Sequence, residues 1–106
     1  MGKKYDSDQI CKSTTGCNRR EVPWRFDLIP PEVIRAYAKV LKEGADIPAY
    51  GPRNHELGML MSVTVNHAMD HFLNVLDGYI TTDLDHLLWN VAELVMTRDR
   101  ITTGQL

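Results

Sequence analysis

The chain has 106 residues, of which 43% are hydrophobic and 25% are charged, and its formal net charge is −2. This length supports one compact domain with a modest core, and the composition excludes general disorder. The slight negative charge argues against binding to nucleic acid. No apolar run approaches the roughly 20 residues that span a bilayer. With no secretory signal at the N-terminus, we expect a cytoplasmic protein with no membrane partner.

The first part of the chain is polar and lacks an apolar period. We therefore predict a flexible N-terminal arm over residues 1–22. Cys11 and Cys17 fit neither a CxxC redox motif nor a zinc knuckle, so we expect two free thiols. The motif "VPWRFDLIPPE" opens the predicted domain, which covers residues 23–98 and is followed by a tail over residues 99–106.

Apolar residues at helical spacing predict three helices, over residues 31–43, 60–77 and 83–98. Gly44 and Gly78 are the predicted C-terminal stops of the first two. Between these helices, "ADIPAYGPRNHELG" predicts an ordered Gly/Pro-rich loop. No strand is predicted, so the expected fold class is all-α, a small bundle of three main helices. Because such a bundle buries little apolar surface, we expect a homo-oligomer in which the second and third helices pack between chains.

The second and third predicted helices each have an apolar and a polar face. The polar faces carry His67, Asp70, His71 and Asn74 on the second helix, and Asp83, His86, Asn90 and Glu93 on the third. A polar face is usually only solvated, which is the alternative here. However, residues 59–96 contain no Lys, Arg or Gln, the usual residues of solvated helix faces. Asp, Asn and His are instead the groups that hold metals and orient phosphates.

These polar faces offer two kinds of metal site. His67 and His71, spaced i and i+4, can share an ion with His86 as a third imidazole, which is the set expected of zinc. Carboxylates are preferred by Mg²⁺ or Mn²⁺. The carboxylates available for such a metal are Asp70, Asp83 and Glu93.

The predicted loop carries side chains suited to a nucleotide. Arg53 suits a bidentate contact with phosphate, and Tyr50 suits stacking on a base. The alternative is a hydrogen-bonded loop that only joins the first helix to the second.

Three motifs, "RFDLIPPEVIRAYAKVLKEGA", "YGPRNHELG" and "DHLLWNVAEL", together resemble a family found widely in bacteriophages. This is the dATP/dGTP diphosphohydrolase N-terminal domain family, which is related in outline to MazG-like all-α nucleotide pyrophosphohydrolases. The resemblance covers about residues 23–97. It points to these positions: Tyr50, Gly51, Arg53, Asn54, Glu56, Gly58, His71, His86 and Asn90. The chain departs from the family pattern at His55, Asp70 and Asp83, and it has fewer glutamates than the metal site of MazG-like enzymes.

The resemblance implies a phage-type nucleotide-binding protein in the host cytoplasm. On the first interpretation of the resemblance, the protein is a (deoxy)purine nucleoside triphosphate pyrophosphohydrolase. Such an enzyme uses Mg²⁺ or Mn²⁺ and releases the monophosphate and pyrophosphate. The expected catalytic residues are Asp70, His71 and His86. The expected substrate-binding residues are Tyr50, Arg53, Asn54, His67, Trp89 and Asn90. The expected metal ligands are Asp70, Asp83 and Glu93.

Two other interpretations stay open at this point. The chain could be a non-catalytic phage protein that sequesters a nucleotide or a nucleotide-derived immune signal, or an interaction protein whose His/Asp faces form an oligomer interface. The nucleotide interpretations require that the antiparallel second and third helices gather His71, Asp83 and His86, with the loop facing them. Because both histidines lie opposite the apolar faces of their helices, we expect alanine at either position to leave folding nearly intact.

Overall fold

The computed structural model describes residues 10–106. The chain divides into two units, Met1–Pro30 and Pro31–Leu106, which are treated separately. No helix in the described residues is both long and apolar enough to cross a bilayer.

The described part of the first unit contains an antiparallel hairpin of β1 (Ile10–Lys12) and β2 (Asn18–Arg20). The backbone N–H of Ser13 donates to the carbonyl of Cys17 at 2.8 Å, and Gly16 has φ +92° in the turn. The prediction that the chain has no strands is therefore wrong. Strands of three residues are too short to show an alternating period, and these are exposed on both faces. Both cysteines are free, as expected.

The second unit contains three helices, α1 (Pro31–Ala45), α2 (Met61–Leu76) and α3 (Asp83–Thr102). The molecule is thus mostly helical, with one small sheet. Gly44 does not stop α1, which continues to Ala45. The third helix also runs beyond its predicted end at residue 98. Its last turns are held by a non-local contact, in which Arg100 Nη2 donates to Glu56 Oε1 at 2.8 Å.

The connection between α1 and α2 is a series of hydrogen-bonded turns that includes a 3₁₀ helix over Asn54–Leu57. The N–H groups of Tyr50 and Gly51 both donate to the carbonyl of Ile47, at 3.0 and 3.3 Å. Gly51 has φ +78°, a conformation that a side chain would disfavour. The ordered loop expected from the sequence is present.

The second and third helices bury polar residues and expose apolar ones. Asn90, Glu93 and Thr97 on α3 are 4%, 6% and 7% exposed, and the small Ala68 on α2 is also buried. The large side chains on the other faces of these helices remain at least 40% exposed: Val65, Met69, Phe72, Leu73, Leu76, Leu84, Val91 and Val95. Large apolar side chains exposed in this number are what an interaction surface would present.

The homo-oligomer expected from the sequence stays a prediction. A substitution in the exposed apolar face of α2 tests it directly. Leu73 is 55% exposed in the single chain, so Leu73→Glu would cost little in a monomer. In an oligomer that buries this face, the introduced charge would lose its hydration and separate the subunits. We therefore expect light scattering at micromolar concentration to give a dimer or larger for the parent and a smaller species for Leu73→Glu.

Gln105→Glu is the matched control, because it adds a carboxylate at an exposed position outside the three helices. A monomeric mass for the parent protein, unchanged by Leu73→Glu, would contradict the oligomer.

Candidate functional site

Asp83 joins the end of α2 to the beginning of α3. Its Oδ1 atom accepts hydrogen bonds from His71 Nδ1 at 2.9 Å and from Asn74 Nδ2 at 3.0 Å. The chain reverses direction between the two helices at Gly78, which has φ +98°. As the first residue of α3, Asp83 also places its negative charge at the positive end of the helix dipole.

These hydrogen bonds decide the protonation of the pair. The bond from His71, followed by that from Asn74, holds the pKa of Asp83 below its ordinary value. Because an ionised carboxylate only accepts hydrogen bonds, Nδ1 of His71 carries the hydrogen. In the neutral imidazole, Nε2 is then left as the acceptor.

His71 stacks on His86, with ring centroids 5.1 Å apart and ring planes at 20°. On its other side, His86 Nε2 lies 3.7 Å from Oε2 of Glu43 on α1. Four side chains therefore connect the three helices in the order Asp83, His71, His86 and Glu43. The structure brings together His71, Asp83 and His86. This agrees with the prediction made from antiparallel second and third helices.

A cavity of about 380 Å³ opens beside His86, between the end of α1, the loop and α3. Its size is that of a small-molecule pocket. Much of its wall is apolar and aromatic, and includes Val40, Leu41, Ile47, Tyr50 and Trp89. The polar side chains at the wall are Glu43, Asn54, His55 and His86. This combination suits a flat, partly apolar ring with polar edges.

A second polar cluster surrounds Glu56 and Glu93. Glu56 accepts hydrogen bonds from Arg100 at 2.8 Å and from Arg53 at 2.9 Å, and these lower its pKa, Arg100 the more strongly. Glu93 is 6% exposed, and its Oε1 has no hydrogen-bond partner among the described residues. Burial raises the pKa of Glu93 to about 7; Glu56 adds to this effect and Arg100 opposes it. Burial also raises the pKa of Tyr37.

The predicted site residues thus fall in different places. Tyr50, Asn54, His86 and Trp89 line the cavity. Asn90 is buried, but its Nδ2 donates to the backbone carbonyl of His86 at 2.8 Å. The Asn90 amide therefore has its hydrogen-bond partner within its own helix.

Other predicted residues lie outside the cavity wall. Arg53 points outward, with a side chain 82% exposed, and pairs with Glu56. His67 and Asp70 are exposed on α2. Within residues 10–106, no three His, Cys, Asp or Glu side chains form a group that could hold a metal ion. Neither the carboxylates Asp70, Asp83 and Glu93 nor the three imidazoles form such a group in one chain.

Glu43 is a residue of the site that the sequence did not predict. Glu43 lies in the last turns of α1, where a glutamate is ordinarily solvated. Its place on the cavity wall becomes visible only in the folded chain, where the loop and the end of α1 line the same cavity. His55 was noted only as a departure from the family pattern, although it also lines the wall.

Residues 13–105 match the family model described as dATP/dGTP diphosphohydrolase, N-terminal. The chain belongs to this family. The match extends beyond the range of the resemblance found in the sequence and includes every residue of the cavity wall. No curated protein and no solved structure matches the chain.

Replacing His71 by alanine tests the contact between α2 and α3. The side chains of His71 and Asp83 are only 22% and 20% exposed, so the expectation that His71 is dispensable for folding needs revision. Losing a hydrogen bond to a partly buried carboxylate should cost about 1–3 kcal/mol in the free energy of unfolding. Among residues 10–106, the side chain of His86 makes the stacking contact and the 3.7 Å contact with Glu43, so His86→Ala should cost less. Urea denaturation of both variants measures the two losses in the free energy of unfolding. Equal losses for His71→Ala and His86→Ala would contradict this prediction.

The buried Glu93 carboxyl predicts a pH-dependent stability. Its pKa is about 7 in the folded chain against an ordinary 4.5, so the folded state holds a proton that the unfolded state has lost between these values. Stability contributed by this group is therefore full below about pH 4.5 and falls as the pH rises to about 7. We expect Glu93→Gln to exceed the parent in stability at pH 8 by an amount of order 1–3 kcal/mol.

Urea unfolding at several pH values measures this difference, which should vanish near pH 4. Glu32→Gln, which changes an exposed carboxylate on α1, is the control and should show no such trend. A Glu93→Gln effect that does not vary with pH would show that the pKa of Glu93 is the same in the folded and the unfolded chain.

Proposed function

We propose that the chain binds a purine deoxynucleoside triphosphate and hydrolyses it to the monophosphate and pyrophosphate. The observation that carries this proposal is the cavity lined by Tyr50 and Trp89 beside the His71–His86 pair, in a chain of the dATP/dGTP diphosphohydrolase family. The family description supplies the class of substrate. The cavity supplies a place of suitable size for the base and sugar.

The base occupies the cavity and stacks on an aromatic side chain. Trp89 and Tyr50 provide flat faces, and stacking on such a face contributes about 1–3 kcal/mol per base. The aliphatic side chains of α1 at the wall exclude water from the ring.

Arg53 takes the phosphates. It lies between Pro52 and Asn54, which both line the cavity. Its present partner is Glu56, in an ion pair whose Arg53 side chain is 82% exposed. An exposed ion pair contributes little to stability, so a phosphate group can replace it at little cost.

His86 accepts a proton from the attacking water. It lines the cavity, and its ring is supported by the stacked His71, which is itself fixed by Asp83. A general base must have a fixed ring and access to the reacting atoms, and His86 combines the two.

The Mg²⁺ or Mn²⁺ expected from the sequence remains a prediction. Because the described residues of one chain form no group of three ligands, carboxylates of a second subunit would have to complete such a site. The same observation favours a second function, in which the chain sequesters a nucleotide, or a nucleotide-derived signal, without hydrolysing it.

Incubation with each dNTP and Mg²⁺ or Mn²⁺, followed by chromatography, separates the two functions. Monophosphate and pyrophosphate in equal amounts support hydrolysis. Retention of one nucleotide per site without turnover supports sequestration. If the chain neither binds nor hydrolyses any dNTP, the proposed hydrolysis is wrong, and so is the sequestration of a dNTP.

Trp89→Ala tests the place of the base. We expect this variant to lose at least about tenfold in affinity, because a stacking surface is removed. Trp24 and Trp89 are the chain's only tryptophans, so in a Trp24→Phe background the fluorescence of Trp89 also reports binding directly. Unchanged affinity in Trp89→Ala would place the base elsewhere.

A further inference from the structure

Glu43 is the only acidic residue among those that line the cavity. Its Oε2 lies 3.7 Å from His86 Nε2, too far for a hydrogen bond. Within residues 10–106, no group donates a hydrogen bond to this carboxylate. Its side chain is 47% exposed, so it lies where the cavity meets solvent. The oxygens of Glu43 are therefore available to a ligand.

We propose that Glu43 makes the cavity select guanine over adenine. This inference rests on the proposed binding of a purine nucleotide in the same cavity. An ionised carboxylate has two acceptor oxygens and no donor. The Watson–Crick edge of guanine presents two parallel donors, N1–H and the N2 amino group, which match those oxygens in a bidentate, charge-assisted contact.

Adenine does not offer the same match. Its Watson–Crick edge places an acceptor, N1, beside the N6 amino donor. One carboxylate oxygen would therefore face a lone pair and lose hydration without gaining a hydrogen bond. Sites built around hydrogen bonds discriminate strongly against a ligand that leaves their polar groups unpaired.

The positions of the neighbouring side chains favour this contact. Trp89 and His86 are one helical turn apart on α3, and both line the cavity. Glu43 lies across from His86, on α1. A purine stacked on Trp89 can thus present an edge to α1, where the carboxylate lies. The remaining polar side chains at the wall, Asn54 and His55, belong to the loop.

The test compares the affinities of the complete chain for dGTP, dATP and dITP by equilibrium dialysis without added metal. We expect dGTP to bind at least about tenfold more tightly than dATP, as a good bidentate contact implies. Hypoxanthine lacks the N2 amino group, so dITP should bind more weakly than dGTP.

Glu43→Gln should remove the preference for dGTP and improve the binding of dATP relative to dGTP. The amide offers one donor and one acceptor, which complement the N1 and N6 groups of adenine. The matched control is Glu32→Gln on the same helix, outside the cavity wall, which should keep the parent's ratio. If Glu43→Gln does not fold, equal binding of dGTP and dITP by the unchanged chain would still overturn the proposal.

Two failures are distinguishable. Equal affinities of the parent for dGTP, dATP and dITP, with binding lost in Trp89→Ala, would overturn the role of Glu43 and leave the proposed function standing. No binding of any of these nucleotides would overturn the proposed function and, with it, this inference.

Discussion

The carboxylate of Asp83 is the acceptor on which the arrangement of α2 and α3 depends. It receives hydrogen bonds from the last two turns of α2, through His71 and Asn74, while it begins α3. Fixing His71 also fixes the ring on which His86 stacks, and His86 forms part of the cavity wall. The shape of the cavity therefore depends on a side chain that does not line it. An alanine at this position would leave two donors of α2 without their acceptor.

Packing along polar faces has consequences for the rest of the chain. Polar side chains that are buried must find partners. Asn90 does so with the carbonyl of His86, whereas Oε1 of Glu93 has no hydrogen-bond partner within residues 10–106. Burying these groups contributes little hydrophobic free energy because they are polar. In addition, most large apolar side chains of α2 and α3 remain exposed. A stable fold then needs the exposed apolar surface of α2 and α3 to be covered by something outside the single chain. Association of chains is the means that we proposed.

The sequence predicted local features better than contacts made across the chain. Apolar spacing gave α2 to within about a residue at each end and the start of α3, because periodicity is a property of the segment itself. The extension of α3 was missed, since it is held by Arg100 against Glu56 in the loop. The His71–Asp83–His86 cluster was predictable from two polar faces joined by a short turn. Glu43 was not, because nothing local distinguishes it from a solvated glutamate.

The loop connects the cavity to the C-terminal end of α3. In its first part, all residues from 50 to 55 except Arg53 form one wall of the cavity, and the next residue, Glu56, is held by Arg100. The loop closes at Gly58, where φ is +87° and an added Cβ would lie 3.1 Å from Leu106. The side chain of Leu106 thus packs against the loop at Gly58. A substitution of Arg100 can therefore alter a cavity that this residue does not touch, because Arg100 holds Glu56 next to the cavity wall.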